Sequence, residues 1–189
     1  MLKKILKILG IVLAVFIVAL RGFYYLVRDE ISMIVAVTDE DKESFSYYVD
    51  EKNIDPNNVY LGNYIQVYIA NYREKADIKF VKFLLEKGVN PNINPTGNLT
   101  SLLSAILLDR KDLVELLIKD KKMDVNFANK QGITPLGGAL RLYNCDMAKF
   151  LIDNGATLNK DKSQEKLENW VDICKKHGWV SGDAKLIYK

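Results

Sequence analysis

Val81-Lys-Phe-Leu-Leu-Glu-Lys-Gly-Val-Asn-Pro-Asn92, Val114-Glu-Leu-Leu-Ile-Lys-Asp-Lys-Lys-Met-Asp-Val-Asn126 and Ala148-Lys-Phe-Leu-Ile-Asp-Asn-Gly-Ala-Thr-Leu-Asn159 are copies of one pattern. Val81 and Val114 are 33 residues apart, Val114 and Ala148 are 34. A second pattern precedes two of the copies: Thr100-Ser-Leu-Leu-Ser-Ala-Ile106 and Thr134-Pro-Leu-Gly-Gly-Ala-Leu140, again 34 apart. Self-similarity at this period, with two short helical segments per copy, means a stacked repeat in which each unit buries its apolar face only against its neighbours.

The local chemistry agrees with helices. Thr134 followed by Pro135 starts one well, because the hydroxyl caps it and proline presets φ without wasting a donor; Thr100 with Ser101 is a looser copy. Val81, Leu84 and Leu85, and Leu113, Leu116 and Leu117, recur at helical spacing and predict one buried stripe. Gly88 and Gly155 fall just past the second helix, where a left-handed C-cap favours glycine. Lys121 holds that place in the intervening copy, so that helix should fray or close differently.

Lys130-Gln-Gly-Ile-Thr-Pro-Leu-Gly-Gly-Ala139 followed by Phe150-Leu-Ile-Asp-Asn-Gly-Ala-Thr-Leu-Asn159 resembles the ankyrin consensus, and the resemblance covers Leu61 to Asn159. Upstream, Phe45-Ser-Tyr-Tyr-Val-Asp-Glu-Lys-Asn-Ile-Asp-Pro-Asn57 is a degraded copy of the second helix and loop, with Ile31 to Val37 as its first helix. Downstream, Ser163 to His177 reads as an amphipathic capping helix with Leu167, Trp170, Val171 and Cys174 on one face. The expected fold is therefore all-α: an ankyrin-type solenoid of about four repeats (29–57, 58–92, 93–126, 127–159) and a C-terminal cap with its tail (160–189). The consensus histidine is replaced by Leu103 and Gly137. Paired glycines at Gly137 and Gly138 should cost the helix roughly 2 kcal/mol relative to alanine, so either a neighbouring helix approaches closely there or the segment is soft. The turn glycine kept at Gly132 is Asn98 in one copy and Asn63 in another, asparagine being the other residue that tolerates the left-handed region.

Residues 1–28 are different. Three lysines, Lys3, Lys4 and Lys7, precede an unbroken apolar run of 13 residues from Ile8 to Leu20, and apolar character resumes after Arg21 through Val27. Twenty helical residues span about 30 Å, the thickness of a bilayer's hydrocarbon core. Arg21 can snorkel, and Phe23, Tyr24 and Tyr25 suit the headgroup belt. A cleaved signal peptide is the competing reading. Ile17-Val18-Ala19 is a poor cleavage site, which favours an uncleaved signal anchor. With lysines ahead of the segment, the N-terminus stays cytoplasmic and the domain lies outside, in the periplasm if the cell is bacterial; Arg21 and Arg28 partly oppose this. The resulting expectation is a single-pass protein of the cytoplasmic membrane, with secretion to the periplasm after cleavage as the alternative.

The formal charge of +3 resides in that segment: five of the 27 basic residues precede Asp29, leaving 22 basic against 24 acidic residues, a net of −2. Such a domain has no footprint for nucleic acid. His177, the sole histidine, has no cysteine or serine partner nearby and reads as a solvated helix-end residue. Asp39-Glu40-Asp41 reads as a solvated turn rather than a calcium site. There is no phosphate loop. The expectation is no enzyme, no cofactor, no metal and no small-molecule substrate. Two cysteines without CxxC spacing exclude a disulfide framework. Stacking as the resemblance implies brings Cys145 and Cys174 near one another, and an oxidised pair stands beside two separate buried thiols.

In an ankyrin-like stack the partner surface is the concave face formed by turn tips and first helices. The family's register puts Lys130, Gln131, Ile133, Arg141 and Leu142 there in the last repeat, and Leu99, Leu107 and Leu108 in the third. The second contributes Tyr64, Tyr72 and Arg73, its two extra residues lying between its helices. Leucine and isoleucine flanked by tyrosine and arginine have the character of a protein-binding patch. The expected function is a membrane-tethered, non-catalytic protein binder, for example an immunity protein against a secreted effector such as a lipase. The alternatives are an assembly or protective factor for a periplasmic enzyme, a cytosolic scaffold and, last, a hydrolase with a cryptic site.

Overall fold

A computed structural model describes residues 2–59, 61–97, 99–157, 174 and 176. Among these the chain is all helical. Helix α1 (Leu2–Thr38) is followed by α2 (Lys42–Ser46) and a π-helical turn (Tyr47–Glu51), then α3 (Tyr64–Tyr72) with a 3-10 turn (Arg73–Lys75) and α4 (Ile78–Glu86). The pairs α5 (Ser101–Leu107) with α6 (Lys111–Lys119), and α7 (Pro135–Arg141) with α8 (Cys145–Asp153), complete the described stack. First helices line up in the order α1, α3, α5, α7, each packed on the next. The cap residues Leu167, Trp170, Val171 and His177, and the turn residue Asn98, lie outside the described residues.

Helix starts follow the expected chemistry. Thr100 Oγ1 accepts the Leu103 N–H at 3.1 Å, and Thr134 Oγ1 accepts that of Gly137 at 3.1 Å. Asn63 does the same for α3, accepting from Ile65 and Gln66. Asn63 therefore corresponds to Thr100 and Thr134, two residues away from the place expected of a counterpart to the turn glycine Gly132. Its φ of −70° is ordinary cap geometry, not left-handed. Gly88 and Gly155 take φ of +87° and +89° past α4 and α8. After α6, Asp120 turns the chain in extended geometry instead, with its carboxylate accepting from Lys122 N–H.

The interior is one continuous apolar seam. Val81, Leu84, Leu113 and Leu117 are fully buried, whereas Leu85 and Leu116, the edges of the expected stripe, are half-buried. Phe45 meets Tyr64 edge-on at 5.3 Å between ring centroids, and Tyr68, Phe80 and Phe83 continue the aromatic chain into the second repeat. The Gly137-Gly138 pair is a site of close approach: a Cβ on Gly138 would lie 2.7 Å from Leu103 Cδ2. The leucine that replaces the consensus histidine is the group the glycine admits.

An asparagine ladder ties the loops. Asn57 donates to Gly88 O and accepts from Asn90 N–H; Asn92 donates to Lys122 O and accepts from Asp124 N–H; Asn126 donates to Gly155 O and accepts from Thr157 N–H. Each asparagine thus serves both a carbonyl and an amide of the following repeat, satisfying backbone groups that the loop leaves open.

Helix α1 is continuous from the apolar N-terminal run into the first repeat, with no break at residue 28. Among the described residues it alone is long and apolar enough to cross a membrane, and its most apolar stretch is wholly unburied. Leu13, Phe16 and Val18 are 60%, 59% and 70% exposed, whereas Met33, Ala36 and Val37, two turns beyond Arg28, are buried against the stack.

Candidate functional site

Within each repeat the two helices meet at a tight turn whose residue just past the first helix is left-handed: Glu40, Arg73, Asp109 and Tyr143 have φ between +52° and +56°. None is glycine, so each backbone is held by its surroundings. Tyr72 Oη donates to Thr38 O at 2.7 Å. The Arg110 guanidinium donates to Glu74 O at 2.8 Å and Ala76 O at 2.9 Å, and is forked onto Asp112. Asn144 Nδ2 donates to Asp109 Oδ1 at 2.6 Å. Each turn is thereby bonded to the one before it.

Three titration shifts accompany this bonding. The guanidinium hydrogen bond from Arg110 holds the Asp112 carboxyl below its usual range, and Asp112 in turn raises Arg110. Burial first, then the hydrogen bond to Glu40, pushes the Tyr68 hydroxyl above the ordinary tyrosine value. Tyr68 donates to Glu40 Oε1 and accepts from Asp77 N–H at 2.9 Å. Asp41, meanwhile, caps α2 through Ser44. Asp39-Glu40-Asp41 thus spends two carboxylates on internal hydrogen bonds, and among the described residues no His, Cys, Asp or Glu group is placed to hold a metal ion.

From Thr100 to Arg110, and from Thr134 to Asn144, ten residues separate the caps of the two helices; from Asn63 to Asp77 it is fourteen. The four additional residues extend α3 and form the 3-10 turn. This register decides the candidate surface. Ala70, Leu107 and Arg141 are equivalent, all exposed, on the successive helices α3, α5 and α7; Asn71, Leu108 and Leu142 form the next row; Arg73, Asp109 and Tyr143 the outermost. Leu107 is 45%, Leu142 46% and Tyr143 58% exposed, although Ser101–Ile106 and Pro135–Leu140 are buried throughout.

The expected site residues divide accordingly. Leu107, Arg141, Leu142 and Arg73 share this edge, with Leu108 half-buried behind them. Lys130 and Gln131 are exposed at the distant hairpin tip, with Leu99 and Ile133 half-buried beneath. Lys130 is also a strut: its N–H donates to Gly97 O at 3.0 Å and its stem covers Gly97, whose φ is +74°. Tyr72 is on the seam between turns. Tyr64 is a correction: it is 2% exposed, with its hydroxyl against Met33 Sδ at 3.5 Å, and cannot meet a partner. Its position directly after the cap points back into the preceding repeat, as does that of Ser101, whose Oγ donates to Asn63 Oδ1. Tyr143 was missed; its alignment with Asp109, nine residues past the threonine cap in each repeat, was the available signal. Cys145 and Cys174 are joined, with Cα atoms 5.3 Å apart.

A family model described as ankyrin repeats matches residues 67–162 in three copies, half of the chain. The chain belongs to the ankyrin-repeat family. Ankyrin repeats are a protein-interaction module. Among curated relatives, the putative ankyrin repeat protein FPV222 of Fowlpox virus (strain NVSL) is 30% identical over 139 residues, 72% of this chain and 17% of that protein. Alpha-latrocrustotoxin-Lt1a of Latrodectus tredecimguttatus is 34% identical over 99 residues, 52% of this chain and 7% of the toxin. The human transient receptor potential cation channel subfamily A member 1 is 30% identical over 83 residues, 44% of this chain and 7% of the channel. The chain therefore spans less than a fifth of the length of these relatives, and the likeness is one of ankyrin segments.

Proposed function

We propose that this ankyrin protein is a membrane-tethered, non-catalytic adaptor that grips a protein partner through the turn edge of its repeats. The observation that carries the reading is the group Leu107, Leu142 and Tyr143, each roughly half exposed at the ends of first helices whose preceding residues, Ser101–Ile106 and Pro135–Leu140, are buried, with Arg73 and Arg141 beside them. Apolar and aromatic anchors with arginine at the rim are the composition of binding hot spots. The bonding of each turn to the one before it favours such a role, because a preorganised surface loses little freedom on association.

In this reading α1 crosses the cytoplasmic membrane with its lysines inside, and the stack lies outside. A reporter active only outside the cytoplasm, fused after Lys189, tests the topology; an inactive fusion refutes it. Tethering concentrates the binder at the bilayer and so suits a partner that acts there. An immunity role against a secreted effector such as a lipase is of this kind, and an effector encoded beside this gene whose toxicity the chain suppresses is its test. For the interface, full-length chain in nanodiscs serves as bait against the wild type's identified partner. Leu107→Asp with Leu142→Asp should abolish capture while leaving the far-UV spectrum unchanged. Undiminished capture by the folded double variant removes this edge from consideration.

A further inference from the structure

Helix α1 has no linker between its apolar run and the first repeat, and this fixes where the base of the stack lies. Resting on the membrane-spanning reading above, we infer that the base of the first repeat and the start of the loop after it, residues 47–59 and 61, are seated in the lipid headgroup layer of the same bilayer. Val27 ends the apolar stretch, and only three residues later Glu30 Oε1 accepts the Leu61 N–H at 2.7 Å. At about 1.5 Å per helical residue that is roughly 4.5 Å of rise. The headgroup region of each leaflet is some 5–8 Å deep. The loop bonded to Glu30 is thus at headgroup depth as soon as α1 spans.

The side chains at that level suit the location. Lys52 Nζ lies 3.6 Å from Asp29 Oδ1 and 4.8 Å from the Tyr48 ring centroid, so the π-helical turn is clamped to α1 just outside the span. Tyr24, Tyr25 and Tyr47 are 63%, 55% and 51% exposed, and Leu61 is 46% exposed. Arg28 lies over the Tyr25 ring at 5.1 Å. Tyrosines with an apolar body and polar tip, beside cations on flexible stems, are the residues that populate membrane interfaces. Nearby acids, Asp29, Asp50 and Asp55, leave this face without a basic excess, so the contact is with headgroups in general rather than with anionic lipid.

The opposite edge follows from the same helix. Asp29 to Thr38 rises about 14 Å at the same 1.5 Å per residue, which places the inter-helix turns clear of the headgroups. Seating the base therefore leaves the edge bearing Leu107 and Tyr143 facing outward.

Photocrosslinking of the full-length chain in nanodiscs of phosphatidylethanolamine and phosphatidylglycerol tests this. The crosslinker p-benzoylphenylalanine replaces Phe16, Tyr47, Leu61 or Tyr143, one at a time, and lipid adducts are counted by mass spectrometry. Adducts at 16, 47 and 61 with none at 143 are the expected result. Inserting a flexible Gly-Ser linker between Arg28 and Asp29 should then bring the yields at 47 and 61 down to that at 143 and leave 16 unchanged. Adducts at 16 with yields at 47 and 61 no higher than at 143 overturn the seating while the anchor stands. Absence of adducts at 16 overturns the anchor, and the seating with it.

Discussion

Gly137→Ala and Gly138→Ala are neighbouring changes in one helix, and the structure assigns them different outcomes. Neither glycine is left-handed, so alanine contributes the same helix-propensity gain at both, about 1 kcal/mol. At position 137 the new Cβ meets Thr134 Oγ1 at 3.3 Å, a contact that relaxes with a small shift of the hydroxyl. At 138 it would lie 2.7 Å from Leu103 Cδ2, and Leu103 is only 2% exposed. Forcing an extra methyl into a packed seam costs about 1–3 kcal/mol. Gly137→Ala should therefore be neutral to mildly stabilising, and Gly138→Ala less stable than it by about 1–3 kcal/mol. Urea unfolding of the full chain in detergent, followed by far-UV circular dichroism, measures the difference. Equal slopes for both variants are required, because a repeat stack can lose cooperativity. Leu103→Val removes the atom in conflict, so in that background the penalty of Gly138→Ala should shrink. Equal stability of the two alanine variants, or a penalty indifferent to Leu103→Val, refutes the close-approach argument.

Three further outcomes follow from particular contacts. The bond between Cys145 and Cys174 closes a segment with a sequence separation of 29, for which chain entropy alone gives about 3.6 kcal/mol; Cys145→Ser should lose most of it in oxidising buffer, and dithiothreitol should have no further effect on that variant. Tyr68→Phe strips the buried hydroxyl from Glu40 and Asp77 and should cost about 1–3 kcal/mol in the same unfolding assay. Because the folded Tyr68 pKa is raised, its contribution is intact below the unfolded value near 10 and declines as pH climbs beyond it; the phenylalanine variant should lose that alkaline slope. Asp112 has the opposite sign: its folded pKa is depressed, so its stabilisation is present above about pH 4 and disappears as pH falls through the folded value. With the carboxylate half exposed, Asp112→Asn should cost only about 0.5 kcal/mol at neutral pH and flatten the acid limb of a pH titration of stability.

The repeats were readable because their signals are local. A threonine cap, a glycine just past a helix and an apolar stripe each act within a few residues, and Thr100, Thr134, Gly88 and Gly155 do what their types suggest. What escaped was set between repeats. Asp29 and Glu30 look like the polar end of a membrane segment, yet they are the residues that take Lys52 and Leu61, and this lets α1 run on unbroken. The offset of Asn63 arose from four additional residues in the second repeat, and it carried Tyr64 from the surface into the core. Tyr143 and Arg73 give no hint in their chemistry of a left-handed backbone, which only the packed turns impose. The candidate edge was thus partly legible: Leu107, Arg141 and Leu142 by period, and of the outermost row Arg73 alone.

The asparagine ladder has a consequence for how such a chain can change over time. Asn57, Asn92 and Asn126 each grip a backbone carbonyl and a backbone amide of the next unit, and only Asn126 adds a side chain to these, accepting from Thr157 Oγ1 at 3.2 Å. The receiving unit can therefore be rewritten almost wholesale without losing the bond. A unit can also be duplicated or excised whole, since the donor it brings fits whatever backbone comes after it. Length and surface then vary independently of the joint, which accords with a short chain sharing segments with proteins many times its size.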